Sequence, residues 1–370
     1  MRGLLAAILL FTSMTTSAEV TTQLNLSSGH DKNIFADSSA TGDTYASFSP
    51  TVRFYPAAPL EVTLEGSYKA YQDNSDLGSL YGGAGVSFIP TKSGSRLSVL
   101  ISGNLFTRRY GDIFDIYNYQ GFGLAASTSL KLRTNIRLRA GASFNTADYD
   151  NSESGDHNGL DLYGGINFTP FGSNALDLTG GYLRYAYTTD PELQPTASPR
   201  GNSSDDADNE NRYDVLYFSG RLSRPLGART GLKLTWSEQQ FVQEDDPVTY
   251  GFSVDILSPW TSVWEGRTVL VSLKNFSIPN VILQTGFSYN EREYIATYDY
   301  LTTPSGTTLV EFRREDTRYK TWLSIQRPIN LCPGRLLQPT VSVEFRDNQS
   351  NDPYYDYTGL AINASIDLKF

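Results

Sequence analysis

The chain has 370 residues, with 24 Tyr, 31 Gly, one Cys, two His and a formal charge of −10. An acidic balance argues against nucleic acid as a partner, because phosphate backbones attract basic surfaces. A lone Cys cannot close an internal disulfide, and so few Cys and His residues supply no zinc or thiol centre, so no metal or cofactor is expected.

Residues 1–18 read as a signal peptide. Arg2 gives the positive start, Leu4 to Phe11 the apolar core, and Thr16-Ser17-Ala18 the small residues of a cleavage site. The alternative is a membrane anchor, but the apolar run falls short of the roughly 20 residues a span needs. No Cys follows the core, which argues against a lipid-anchored form. No other long apolar run occurs, so helical spans are excluded. A barrel is not, because only every second residue of a spanning strand meets lipid.

From residue 19 onward the chain reads as strands. The first half gives Val20–Ser28, Asp43–Phe54, Leu60–Gln72, Ser79–Ile89, Arg96–Arg108, Ile116–Leu130, Asn135–Asp148 and Gly159–Phe168. The second half gives Leu176–Thr188, Arg212–Ser223, Thr230–Val242, Arg267–Ser277, Val281–Tyr298, Leu309–Gln326, Leu336–Asp347 and Tyr354–Phe370. Helix-period patterns and domain boundaries are absent, so residues 19–370 form one unit. Val248 to Leu257 also alternates. Both chain ends should lie on one side of a barrel, so the count should be even, and Val248 to Gly266 is read as a long outer loop. The total is about 16 strands, or about 18 if Asn290 to Glu293 is a tight turn.

Connections alternate in kind. Short ones often open with proline, as at Phe54-Tyr55-Pro56, Phe168-Thr169-Pro170 and Gln326-Arg327-Pro328; proline lacks the N–H a ladder needs. Cys332 falls in a Pro-flanked turn of this class. Long ones are polar and acidic, as at Asp148 to Asn158, Thr189 to Asn211 and Gln243 to Asp246. Lys131, Arg133, Arg224 and Arg335 gather at short turns, and Asp112, Asp115, Asp150 and Asp156 at long loops.

Side-chain parity then assigns faces, since successive strand residues point oppositely. Ile136, Leu138, Ala140 and Phe144 oppose Arg137, Arg139, Ser143 and Asn145. Val62 and Leu64 oppose Glu61, Glu65 and Lys69. Val271 and Leu273 oppose Lys274, and Val343 and Phe345 oppose Glu344 and Arg346. An Arg or Lys facing lipid at mid-bilayer costs about 2–4 kcal/mol. The charged parity therefore faces inward, and the pore-lining candidates are Glu61, Glu65, Lys69, Arg137, Arg139, Lys274, Glu344, Arg346, Asp367 and Lys369. Two readings fit them: a wet lumen with a selective field, or ion pairs that brace a filled barrel. Gly180-Gly181 breaks the parity of its strand, and a bulge there would restore it.

The final strand, Leu360 to Phe370, alternates to a terminal aromatic. With the signal peptide, this resembles a Gram-negative outer-membrane β-barrel of porin type, in which the terminal aromatic is read by the barrel-assembly machinery. Asp31-Lys32-Asn33-Ile34-Phe35, Asp43-Thr44-Tyr45 and Asp347 to Tyr357 resemble β-barrel porins associated with exported polysaccharide. The resemblance implies an all-β fold, a closed antiparallel up-and-down transmembrane β-barrel in the outer membrane, with Phe370 as assembly signal. It further implies passage of small hydrophilic solutes or an exported polymer, contact with outer-membrane lipid and lipopolysaccharide, and, by analogy, a homo-oligomer. Two other classes remain: a non-conducting structural or surface barrel, and a hydrolase sited in outer loops. For the latter, His30 beside Asp31 and His157 beside Asp156 are the candidates, although lone loop histidines are ordinarily just solvated. The acidic runs at Asp205 to Asp208 and Glu244 to Asp246 lack a fixed calcium-ligand spacing.

Overall fold

The computed structural model describes residues 19–57, 59–91, 94–151, 155–170, 174–188, 210–244, 257, 263–303 and 306–370. The expected signal peptide and the whole loop between residues 188 and 210, with its acidic run Asp205 to Asp208, lie outside them.

Strands β1 (Glu19–Asp31), β2 (Asp43–Ala57), β3 (Leu60–Tyr71), β4 (Ser79–Phe88), β5 (Leu97–Tyr110), β6 (Tyr119–Arg133), β7 (Ile136–Tyr149) and β8 (His157–Phe168) form the first half. Strands β9 (Ala175–Thr188), β10 (Glu210–Pro225), β11 (Thr230–Glu244), β12 (Trp264–Asn275), β13 (Ile282–Thr303), β14 (Gly306–Gln326), β15 (Ile329–Cys332), β16 (Arg335–Ser350) and β17 (Tyr357–Lys369) complete it. Each pairs antiparallel with its neighbour, β14 pairs directly with β16, and β1 pairs with β17. The four-residue β15 touches only the foot of β16, through Ile329↔Leu337 and Cys332↔Arg335. The wall is therefore a closed antiparallel barrel of 16 strands. Closure pairs every backbone N–H and C=O along the sheet, which a spanning structure needs in lipid.

Several expectations are corrected. The alternative turn at Asn290 to Glu293, and with it the larger count, falls away: as in the main reading one strand, β13, runs through it in register with β12 and β14. Its polarity marks where the strand leaves the lipid band, with Glu291 and Glu293 outside and Arg292 inside. Trp264 to Gly266 belong to β12 rather than to a loop. Ile116 and Tyr117 belong to a 3-10 turn, Asp112–Tyr117, and not to a strand. Cys332 ends β15 and is exposed.

Gly180-Gly181 carries no bulge either. Gly180 pairs with Gly164 and Phe218, and Gly181 with Tyr163 and Tyr217, without a shift in register. The apolar residues that follow, Leu183, Tyr185 and Tyr187, simply point inward. Arg184 points outward, where it meets Asp214 at 3.0 Å. At this level apolar side chains face inward and an ion pair faces outward.

One parity carries exposed large apolar side chains on strand after strand: Leu26, Leu64, Val86, Leu105, Leu124, Phe144, Leu162, Leu178, Leu234, Leu273, Leu323, Val343 and Ile362. Towards the loop end this band gives way to Tyr289 and Tyr319, whose rings lie 5.4 Å apart, and then to charge. Arg267 and Glu291, facing out, lie 2.5 Å apart. An apolar belt edged by aromatic residues and then by ions is the exterior of a membrane barrel.

Two small cores sit at the loop end. In the first, Ile34 of the loop after β1 packs with Tyr71, Leu77, Phe114 and Tyr117, and Leu257 lies against them. In the second, Tyr187, Tyr213, Val263 and Ile295 are almost wholly buried. Leu257 and Val263 both follow β11, so the β11–β12 connection touches both cores.

Candidate functional site

The inner face of the barrel holds the candidate site, and its register fixes the positions of the charged side chains. Glu61, Glu65 and Lys69 share the inward parity of β3, opposite the exposed Leu64. Arg137 and Arg139 share that of β7, Lys274 that of β12, Glu344 and Arg346 that of β16, and Asp367 and Lys369 that of β17. They do not converge on one point; they are spread around and along the bore.

Pairing divides them. Asp177 of β9 gathers Arg139 at 2.6 Å and Arg221 of β10 at 3.6 Å, while Asn167 donates to it at 3.2 Å. Glu344 binds Lys320 at 2.6 Å and Arg346 at 2.8 Å, and Arg346 also reaches Asp31 at 2.6 Å. Arg53 lies 3.7 Å from Glu61. Glu65 accepts the Tyr81 hydroxyl at 2.6 Å, and Asn25 donates to Asp367 at 2.8 Å across the closing seam. The ammonium of Lys69 lies 4.4 Å from the Tyr45 ring centroid and 4.6 Å from that of Tyr71. Arg137, Lys274 and Lys369 have no carboxylate partner among the described residues. The inner charges thus divide into paired ones and ones without a carboxylate among the described residues.

Parity alone could have found further inner cations that sequence reasoning passed over. Lys233 alternates with Leu232 and Leu234 on β11 and also lacks a carboxylate partner among the described residues. Arg292, Arg318 and Lys320 join Arg346, Glu344 and Trp322 around a lumen cavity of about 580 Å³. Asp316 lies 3.4 Å from Arg318, so the cavity is only mildly cationic despite its four basic side chains.

Ala36 also borders this cavity. The loop of residues 32–42 is therefore a roof over that side of the bore. It is braced internally: Asn33 Nδ2 donates to the Asp37 carbonyl at 2.6 Å, and Ser39 N to Asp37 Oδ1 at 2.9 Å. It is tied to residues 351–356 by Ser38 N donating to the Tyr354 carbonyl at 2.6 Å. Partial desolvation, and then the hydrogen bond to Asp37, pushes the Tyr354 phenol up to about 12. The sequence signal was Ile34-Phe35-Ala36, an apolar triplet inside a polar loop. The long acidic connection Thr189 to Asn211 falls almost wholly outside the described residues.

The two histidines lie on strands, not in loops. His30 faces outward on β1, 3.2 Å from Thr44 Oγ1. His157 opens β8 and faces inward, with its ring centroid 6.2 Å from that of Tyr149 and 5.0 Å from that of Tyr187. Its Nδ1 meets the Gly155 carbonyl at 2.9 Å. The wall separates the two rings.

Phe370 continues the seam. Its N–H donates to the Thr22 carbonyl at 2.9 Å, and Thr22 N–H donates back at 3.2 Å. The ring is half-exposed on the outer parity, and the Arg335 guanidinium lies 5.9 Å from its centroid.

No family model matches this chain, and no curated protein does. Solved structures do. It is similar to CdiB from Acinetobacter baumannii over 94% of its own length, at 13% identity and a TM-score of 0.52, and spans 60% of that chain. The outer membrane protein OpdK of Pseudomonas aeruginosa matches at 11% identity and a TM-score of 0.50, over 95% of this chain and 99% of OpdK. OccK8 (OprE) of the same organism matches at 9% identity and 0.51, over 96% and 98%. Likeness at such identity is likeness of fold: the chain shares the closed antiparallel β-barrel architecture of these proteins.

Proposed function

We propose that this chain is a porin-like outer-membrane channel that passes small hydrophilic solutes, or an exported polymer, through its lumen. The observation that carries the reading is the inner wall. Barrels of about 16 strands are wide enough for an aqueous channel, and here that wall is polar, with Arg137, Lys233 and Lys274 unneutralised by any described carboxylate. Glu65, Asp161 and Asp367 likewise lack a cationic partner among the described residues, so unpaired charges of both signs shape the field in the bore. Selectivity then comes from lumen charge and width, and no catalytic step is involved. The apolar belt would meet outer-membrane lipid and lipopolysaccharide, the loop end would be extracellular, and Phe370 would be offered to the assembly machinery.

Single-channel recording in planar bilayers tests this. Stepwise conductance is the expected result. The roof of residues 32–42 favours a second reading, a non-conducting structural barrel. Silence across repeated insertions of verified folded protein would sink the channel and promote that reading.

A further inference from the structure

Two inner-wall tyrosines lie folded over glycines of the neighbouring strand. Tyr163 of β8 covers Gly141 of β7, and Tyr217 of β10 covers Gly181 of β9. A Cβ at Gly141 would stand 2.6 Å from Tyr163 Cζ, and one at Gly181 2.5 Å from Tyr217 Cζ. Any larger residue would lift each ring from the wall. All four occupy one rung of the ladder, because Gly141 pairs with Tyr163, Tyr163 with Gly181, and Gly181 with Tyr217. Both rings are partly buried: one side rests on glycine, and the other faces the lumen.

The surroundings supply hydrogen-bonding groups. Tyr217 donates to Asp161 Oδ1 at 3.0 Å. Gln239, whose Nε2 already donates to the Trp264 carbonyl and whose Oε1 remains as acceptor, continues the rung beyond Tyr217, and Ser219 is the next inward residue on β10. Aromatic platforms beside hydroxyl, amide and carboxylate groups suit a pyranose. Its C–H face stacks on the ring, and its hydroxyls bond the rim. A planar aromatic ligand would use the rings and leave those polar groups unmatched, which costs affinity.

The spacing suits a chain of sugars. The tyrosines are two strands apart, about 9–10 Å at ordinary strand spacing, or about two linked hexose units. Spanning strands tilt by about 35–45°, so a rung perpendicular to them climbs obliquely along the bore. A linear oligosaccharide following the rung therefore also advances along the pore.

We infer that the β7–β10 wall is a two-ring stacking track for a neutral, hydroxyl-rich oligosaccharide. This deepens the channel reading and rests on it. Tyr163 and Tyr217 are the stacking residues, Gly141 and Gly181 hold their rings flat, and Asp161 fixes one of them.

Maltohexaose and cellohexaose, with polyethylene glycol of equal mass as a size control, are added to single channels of the full protein. At least one hexasaccharide should interrupt the current where the polymer does not. Tyr163→Leu/Tyr217→Leu should raise the half-blocking concentration about tenfold, whereas Tyr163→Phe/Tyr217→Phe keeps the rings and most of the block. Saturation-transfer NMR of each sugar with the detergent-folded parent reads binding without the leucine variant, should that variant fail to fold. Block of the leucine variant equal to that of the parent, or normal conductance with neither block nor transfer, would overturn the track. So would stronger block by benzoate than by either sugar. A silent parent would remove the channel reading instead, and the NMR titration would still decide the stacking.

Discussion

Arg346 of β16 places Nη2 2.6 Å from Oδ2 of Asp31 on β1, reaching past β17 at Gly359, its own register partner. Asp31 is the last residue before the roof loop and accepts the Asn33 N–H at 3.0 Å. The pair therefore links the far side of the barrel seam to the root of the roof. Both side chains are mostly buried, at 22% and 14% exposure, so solvent screens the pair less than a surface bridge.

Breaking this link should loosen the roof. Asp31→Ala and Arg346→Ala are each expected to lower stability by about 1.5–3 kcal/mol, with a double-mutant coupling of about 1–2 kcal/mol. Both should increase mean single-channel current or its open-state noise. Additive effects in urea titrations, with unchanged current, would show that the pair does not hold the loop.

The two arginines of β7 should separate by function. Arg137 lacks a carboxylate partner among the described residues, and Arg139 is held by Asp177. Arg137→Glu should shift the reversal potential toward cation preference with little loss of stability. The shift should fade at high salt, since the screening length falls from about 10 Å at 0.1 M to about 3 Å at 1 M. Arg139→Glu should instead unfold at lower denaturant, because it sets a second carboxylate beside Asp177. Equal effects of both substitutions on stability would contradict this division.

Charge should be tolerated on one face only. Leu138 is exposed on the lipid parity, and Leu138→Arg should cost about 2–4 kcal/mol near mid-bilayer. Ser143 faces inward and pairs with Asp161 in register, so Ser143→Arg gains an acidic neighbour. Refolding into vesicles followed by urea titration compares them, and equal sensitivity would refute the face assignment.

Phe370 exchanges both backbone hydrogen bonds with Thr22 at the seam. Its deletion should remove both, and Phe370→Asp should place a charge on the outer parity where the barrel closes. Either change should reduce heat-modifiable protein in outer-membrane fractions. Wild-type amounts of folded Phe370→Asp protein would count against its role in assembly.

The local pattern by itself determined the fold class, most strands and both faces of the wall. Period-two alternation is a property of the backbone, and a charge in lipid is costly enough to fix its sense wherever Leu138 alternates with Arg139 or Val343 with Glu344. That logic failed where the strand outran the bilayer. Leu183, Tyr185 and Tyr187 read as a slipped register, and Asn290 to Glu293 left a turn open as an alternative to one continuous strand, because a sequence does not mark where lipid ends. Only the tertiary structure decided which charges are neutralised. Asp177 meets Arg139, and Asp31 meets Arg346, through neighbours on other strands, which depend on register and closure. The roof over the bore was decided the same way: Ile34 finds Tyr71, Leu77 and Phe114 only once three separate loops are brought to one end of the barrel.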